Sequence, residues 1–341
     1  MCLHCRRAKL KLIVLALGWF MSGCRPEFAD LRSAAQPQAL PVPEGWYSSP
    51  AWLSNDELAF VYEPEFLSHP WEDQIVIYTL STGDWDTLPA PITPAECERG
   101  WLIGPLDRLP NGNLGVMYEC VLKPAGLKYT LYMWDQRTGS LTVLQLYPDE
   151  IAAGGYAFSP DMSQLIQHSA IGAGLNDELY RVDSGGSLSR LFPGFQRARM
   201  PTWAPDGQQI AFWGTEEYPG GPASEFTTWP EIEGLFRYPW DLYSMNADGQ
   251  NLQVLVPSVG EAGTMKWSPQ SNELAFAGRY KNRNGLWIFD TATNGFTLLR
   301  AGRIGFDWAP AGGRMFIIDY VEKGDTTFTY PAIIDVPSAS P

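Results

Sequence analysis

Groups that carry out chemistry are scarce in this sequence. Only three histidines occur, His4, His69 and His168, so an imidazole-based metal or acid–base centre has little to draw on. No G-x-S-x-G elbow is present, which excludes a serine nucleophile of the α/β-hydrolase kind. No glycine-rich phosphate loop and no Asp-x-Asp-x-Asp spacing for calcium are present either. Long apolar runs are also missing. The longest near the N-terminus, Leu12 to Phe20, is too short to span a bilayer as a mature helix. Apolar residues at three and four spacing are sparse after residue 30, which argues against a helical bundle. Positive charge is in deficit, with 24 Lys+Arg against 38 Asp+Glu and a net charge of −14. A surface with that balance repels nucleic acid and anionic lipid headgroups.

Aromatics and turn formers are abundant instead: 14 Trp, 33 Gly and 28 Pro. That mixture suits many short strands joined by tight turns. At the N-terminus, Arg6, Arg7, Lys9 and Lys11 precede the apolar run, and Met21-Ser22-Gly23-Cys24 follows it. A basic segment, a short apolar core and small residues before a cysteine read as an export signal. The last four residues resemble a bacterial lipobox, which implies cleavage after residue 23 and a lipid on Cys24. An ordinary signal peptide with an incidental cysteine is the alternative. Removing residues 1–23 takes away four cations and no carboxylate, moving the net charge from −14 to −18. Residues 24–45 read as a proline-rich tether. In the oxidising compartment that export implies, the remaining Cys97 and Cys120 are expected to form a disulfide.

An internal repeat organises the rest. Pro50-Ala51-Trp52 leads to Leu58-Ala59-Phe60. Leu109-Pro110-Asn111-Gly112 leads to Leu114-Gly115-Val116, with Arg108 where the other repeats carry an aromatic. Phe158-Ser159-Pro160-Asp161 leads to Leu165-Ile166, and Trp203-Ala204-Pro205-Asp206-Gly207 to Ile210-Ala211-Phe212. Trp267-Ser268-Pro269 leads to Leu274-Ala275-Phe276, and Trp308-Ala309-Pro310 to Met315-Phe316-Ile317. Each unit reads as a strand ending in a large residue, a reversing turn and an apolar return strand. A third strand follows, as in Leu179-Tyr180-Arg181-Val182-Asp183 and Leu286-Trp287-Ile288-Phe289-Asp290, and then a fourth. Four strands repeated six times predict an all-β chain, a six-bladed β-propeller of four-stranded antiparallel blades over residues 46–336, with 337–341 as a tail.

The sixth unit stops after its third strand, at Ala332-Ile333-Ile334-Asp335. An unpaired edge there would be a liability. Residues from about 35 to 42 are therefore expected to supply the missing outer strand and close the ring. The combined pattern, aromatic-Ser/Ala-Pro-Asp-Gly, then Ile-Ala-Phe, then Leu-Tyr-x-x-Asp, resembles the TolB-like propeller repeat. The resemblance implies the propeller module alone, without the additional α/β domain of that family.

Binding is expected on the face that carries the blade-to-blade connections and the loops between second and third strands. Its candidates are Glu63, Glu65, His69 and Trp71 on residues 62–74, Tyr218, Trp229, Tyr238 and Trp240 on residues 214–240, and Arg279 and Tyr280 on blade five. The same aromatics can instead form a local core under the insertion. No catalytic residue, metal ligand or cofactor is assigned. The expected protein is an exported monomer, tethered to a bacterial membrane through its N-terminal lipid, that binds an envelope protein or glycan. An extracellular lyase or hydrolase and a ligand-sensing lipoprotein are the competing readings.

Overall fold

The computed structural model describes residues 36–64, 74–88, 97–102, 105–122, 127–146, 151–171, 178–183, 186–191, 197–215, 240–260, 263–270, 272–324 and 326–337. Every regular element among them is a strand. Six antiparallel sheets account for all of them. The large residue of each repeat ends the inner strand of its blade: Trp46–Trp52, Asp107–Arg108, Ile151–Phe158, Arg197–Trp203, Met265–Trp267 and Arg303–Trp308. The chain then reverses and pairs back, for example Trp203 with Ile210 and Trp308 with Met315.

Local chemistry makes that reversal. In blade four the Gly207 amide donates to Ala204 O at 2.9 Å, and the Asp206 side chain accepts the Gln208 amide at 2.9 Å. Gly207 holds φ +69°, which glycine adopts without steric cost. Blade three builds the same turn with Met162 at φ 61°. Asp161 supports it by accepting from Ser159 Oγ, Ser163 Oγ and the Ser163 amide.

Blade six is completed by the N-terminal segment. Gln38–Ala39 pairs with Thr326–Asp335, Gln38 opposite Ile333 and Ala39 opposite Ala332, and the Leu40 amide donates to Pro331 O at 3.0 Å. Leu40 and Val42 then pack beside Tyr47 and Trp52. The two ends of the propeller thus share one sheet, as the incomplete sixth repeat requires.

The core lies between blades. Leu286 and Ile288 of blade five bury against Ile304, Phe306 and Ile317 of blade six, and Phe60 of blade one meets Phe316 of blade six at 5.7 Å. Each such fully buried side chain stabilises the ring by about 2–3 kcal/mol. Blade two departs from the pattern. Its inner edge is divided into Cys97–Leu102 and Asp107–Arg108, both paired with Leu114–Leu122. Cys97 therefore begins a strand. The nine-residue return strand is long enough to pair with both pieces. On blade five the strands Glu273–Tyr280 and Arg283–Asp290 are joined by Lys281 and Asn282, both at positive φ, the two-residue turn that suits the twist of a hairpin.

Candidate functional site

On five blades the residue before the terminal aromatic or arginine lines the middle of the ring: Asp107, Ala157, Thr202, Lys266 and Asp307. Its blade-one counterpart, Ala51, is packed in the core shared with blade two. Around the five lies a cavity of about 380 Å³, lined by Trp52, Phe158, Trp203, Trp267 and Trp308 from the strand ends and by Pro110, Pro160, Pro205, Pro269 and Pro310 from the reversing turns. The repeat that builds the blades also builds this bowl, because each copy ends its inner strand in one large side chain and five of the six follow it with a proline at the same end of the ring.

A buried ion cluster closes the middle. Lys266 Nζ donates to Asp107 Oδ1 at 2.6 Å and reaches Asp307 Oδ1 at 2.8 Å. Asp307 Oδ2 in turn accepts the Trp52 amide at 2.7 Å. Blades five, two, six and one are thereby tied together near the axis. Burial alone would push the Lys266 ammonium down, but Asp107 and Asp307 and their hydrogen bonds outweigh it and hold the ammonium above the ordinary lysine value. Burial pushes the Asp107 carboxyl up, against the pull of Lys266, and Asp307 adds to the rise. The lysine occupies the place a cation bound between these two carboxylates would need. Among the described residues, no group of three or more His, Cys, Asp or Glu is arranged to hold a metal.

The wall of the bowl is partly stitched and partly open. Trp203 Nε1 donates to Ala157 O of the preceding blade at 3.2 Å, and Trp308 Nε1 does the same to Lys266 O at 3.2 Å. Arg108 replaces the aromatic of blade two yet keeps its role, since its Nε donates to Leu53 O of blade one at 2.9 Å. The indole N–H groups of Trp52 and Trp267 are buried and have no acceptor in the structure. A buried donor left in that state costs about 1–3 kcal/mol.

Of the residues singled out in the sequence, Cys24, Glu65, His69, Trp71, Tyr218, Trp229 and Tyr238 lie outside the described residues. Glu63 ends the second strand of blade one opposite Trp46. Trp240 is 1% exposed and lies under two guanidinium groups, Arg199 at 4.2 Å and Arg197 at 5.3 Å. Tyr280 stacks on Phe296 at 4.5 Å and meets Trp287 edge-on at 5.4 Å. Trp240 and Tyr280 join one packed cluster between blades four and five, while Arg279 exchanges backbone hydrogen bonds with Gly260. Glu63 sits on blade one, apart from that group. Cys120 is buried on the strand that pairs with the Cys97 strand, where Gly100 faces Cys120 and Leu122 faces Cys97. His168 accepts the Gly155 amide through Nδ1 at 2.7 Å, a structural use of the ring.

The reading from sequence alone missed Asp107, Lys266 and Asp307. The signal was present: three charged residues occupy one position of a repeat in which the neighbouring strand residues are largely apolar.

No family model matches the chain, and no curated protein does. Solved structures do. TolB from Acinetobacter baumannii superposes with a TM-score of 0.57 at 14% identity, over 82% of this chain and 64% of that one. An oligogalacturonate lyase from Vibrio parahaemolyticus gives 0.52 at 13% identity, over 91% and 96% of the two chains. A gluconolactonase from Xanthomonas campestris gives 0.52 at 11%, over 89% and 90%. The chain spans 64% of the length of the TolB chain it matches. At these identities the likeness establishes the fold alone, a six-bladed β-propeller. That fold is shared by proteins described as lyase and lactonase as well as by TolB itself.

Proposed function

We propose that this chain is an exported, lipid-anchored binding module of the bacterial cell envelope, and that its axial bowl receives an extended segment of a partner protein. The carrying observation is an axial cavity of ligand size walled by Trp203, Trp267 and Trp308. Tryptophan-lined pockets supply the anchor points that dominate protein recognition. The Met21-Ser22-Gly23-Cys24 sequence supports the anchor, and the oxidising compartment that export implies supports a disulfide between Cys97 and Cys120.

Selection of peptides from a displayed random library on the purified protein tests this reading. Selected peptides are expected to lose at least tenfold in affinity on Trp267→Ala, which removes an aromatic wall of the cavity, by about 1.4 kcal/mol. Peptides whose affinity is indifferent to Trp267→Ala, or a library that yields no binder, would refute it.

A further inference from the structure

The acidic excess of this chain is not spread evenly. Two neighbouring hairpins on the face opposite the bowl carry cations mounted on aromatic rings. On blade five, Lys281 Nζ lies 5.2 Å from the Tyr280 ring and 5.5 Å from Phe296, and Arg283 is exposed beside it. At the junction to blade six, exposed Arg303 lies 5.6 Å from the Tyr320 ring. On the blade-six hairpin, Lys323 Nζ lies 5.1 Å from Phe328 and donates to the Tyr330 hydroxyl at 3.0 Å. Against these four exposed cations stand two carboxylates of the blade-six hairpin, the exposed Glu322 and Asp325, the latter outside the described residues. Asp319 is buried and held by Arg300 at 2.6 Å. Two of the exposed large hydrophobic residues also sit on the blade-six hairpin, Val321 at 37% and Tyr330 at 42%.

We infer that these two hairpins form a docking surface for an anionic phospholipid bilayer. Cations fixed above tyrosine and phenylalanine rings, next to exposed apolar side chains, match the headgroup region, where lysine and arginine meet phosphate while aromatic bodies sit at the acyl boundary. The net charge of the chain does not forbid this. At about 0.1 M salt, charges beyond about 10 Å are screened, so the local excess decides. The inference is independent of the bowl, which lies at the other end of the ring.

The test uses the full chain with an environment-sensitive fluorescent amino acid incorporated at Asn282, the tip of the blade-five hairpin, or at Asn111, on the turn-bearing end. Both residues are exposed. Vesicles of phosphatidylglycerol and phosphatidylethanolamine are the probe, with phosphatidylcholine vesicles as the neutral comparison. Emission from position 282 is expected to shift to the blue with the anionic vesicles and to return when salt is raised, while position 111 stays unchanged. The triple variant Lys281→Gln, Arg283→Gln, Lys323→Gln is expected to weaken vesicle binding about a hundredfold. No shift at 282, an equal shift at both positions, or a response to soluble polyglutamate or heparin without one to vesicles would overturn the inference. The last result would identify a soluble acidic macromolecule as the partner instead.

Discussion

Lys266 Nζ lies 2.6 Å from Asp107 Oδ1, although the two residues are 159 positions apart and stand on opposite blades of the ring. With Asp307 on the other side of the ammonium, this contact links sheets that share no backbone hydrogen bond. Lys266→Met leaves two buried carboxylates without their counter-charge and is expected to cost about 3 kcal/mol in chemical denaturation. Adding Asp107→Asn and Asp307→Asn to that variant is expected to recover much of the loss. An unchanged midpoint for Lys266→Met would show that the cluster contributes nothing.

The same group sets an alkaline limit. Its value in the fold is raised, so its stabilisation is complete below about pH 10.4, the value for an unfolded lysine, and is lost as pH climbs through the raised folded value. Wild-type stability is expected to fall along that limb, and Lys266→Met to lack this component of the fall. Parallel alkaline curves for the two proteins would contradict the assignment.

Arg108 takes an aromatic position and makes an inter-blade hydrogen bond through Nε. Arg108→Ala is expected to lower stability by about 1–2 kcal/mol. Arg108→Lys is expected to lose nearly as much, because an ammonium lacks the planar guanidinium geometry. Thermal melts of the two variants distinguish this from a role that needs positive charge alone.

How much was legible follows from where each feature is encoded. The inner-strand ends at Trp203 and Trp308 were readable because aromatic, proline and glycine act within a few residues of one another. The closing strand was readable because the sixth repeat stops after Asp335 with no partner for its edge. The bowl was not read, since it exists only where six strand ends converge. The clasp joins residues that meet through the circular order of the blades, and no local pattern marks Lys266 for Asp107. The loop-face candidates rested on length and composition, which do not distinguish a surface side chain from Trp240, buried under Arg197 and Arg199.

Met162 holds φ 61°, a conformation in which a side chain costs about 1–2 kcal/mol and which Gly207 fills in the next blade. Met162→Gly is therefore expected to raise stability by up to about 1 kcal/mol, after the loss of its packing against Phe158 and its neighbours. A destabilised variant would mean that packing outweighs backbone strain at this turn.

Ring closure rests on a short contact. Leu40→Pro removes the amide that donates to Pro331 O, and deletion of residues 36–40 exposes the edge of Thr326–Asp335. The point variant is expected to cost about 1–2 kcal/mol. The deletion is expected to self-associate through the uncovered strand, visible in sedimentation velocity. A deletion variant that stays monomeric and melts as the wild type would show that this strand is dispensable.

The most direct measurement on the axial bowl is an indole-resolved nitrogen–proton spectrum of the protein titrated with a selected peptide. The Trp203, Trp267 and Trp308 signals are predicted to shift as the peptide packs against the rings that line the cavity, while that of Trp213, which donates to Gly263 O on the loop-bearing side, stays in place. Saturating peptide that leaves Trp203, Trp267 and Trp308 unmoved would place recognition elsewhere on the propeller.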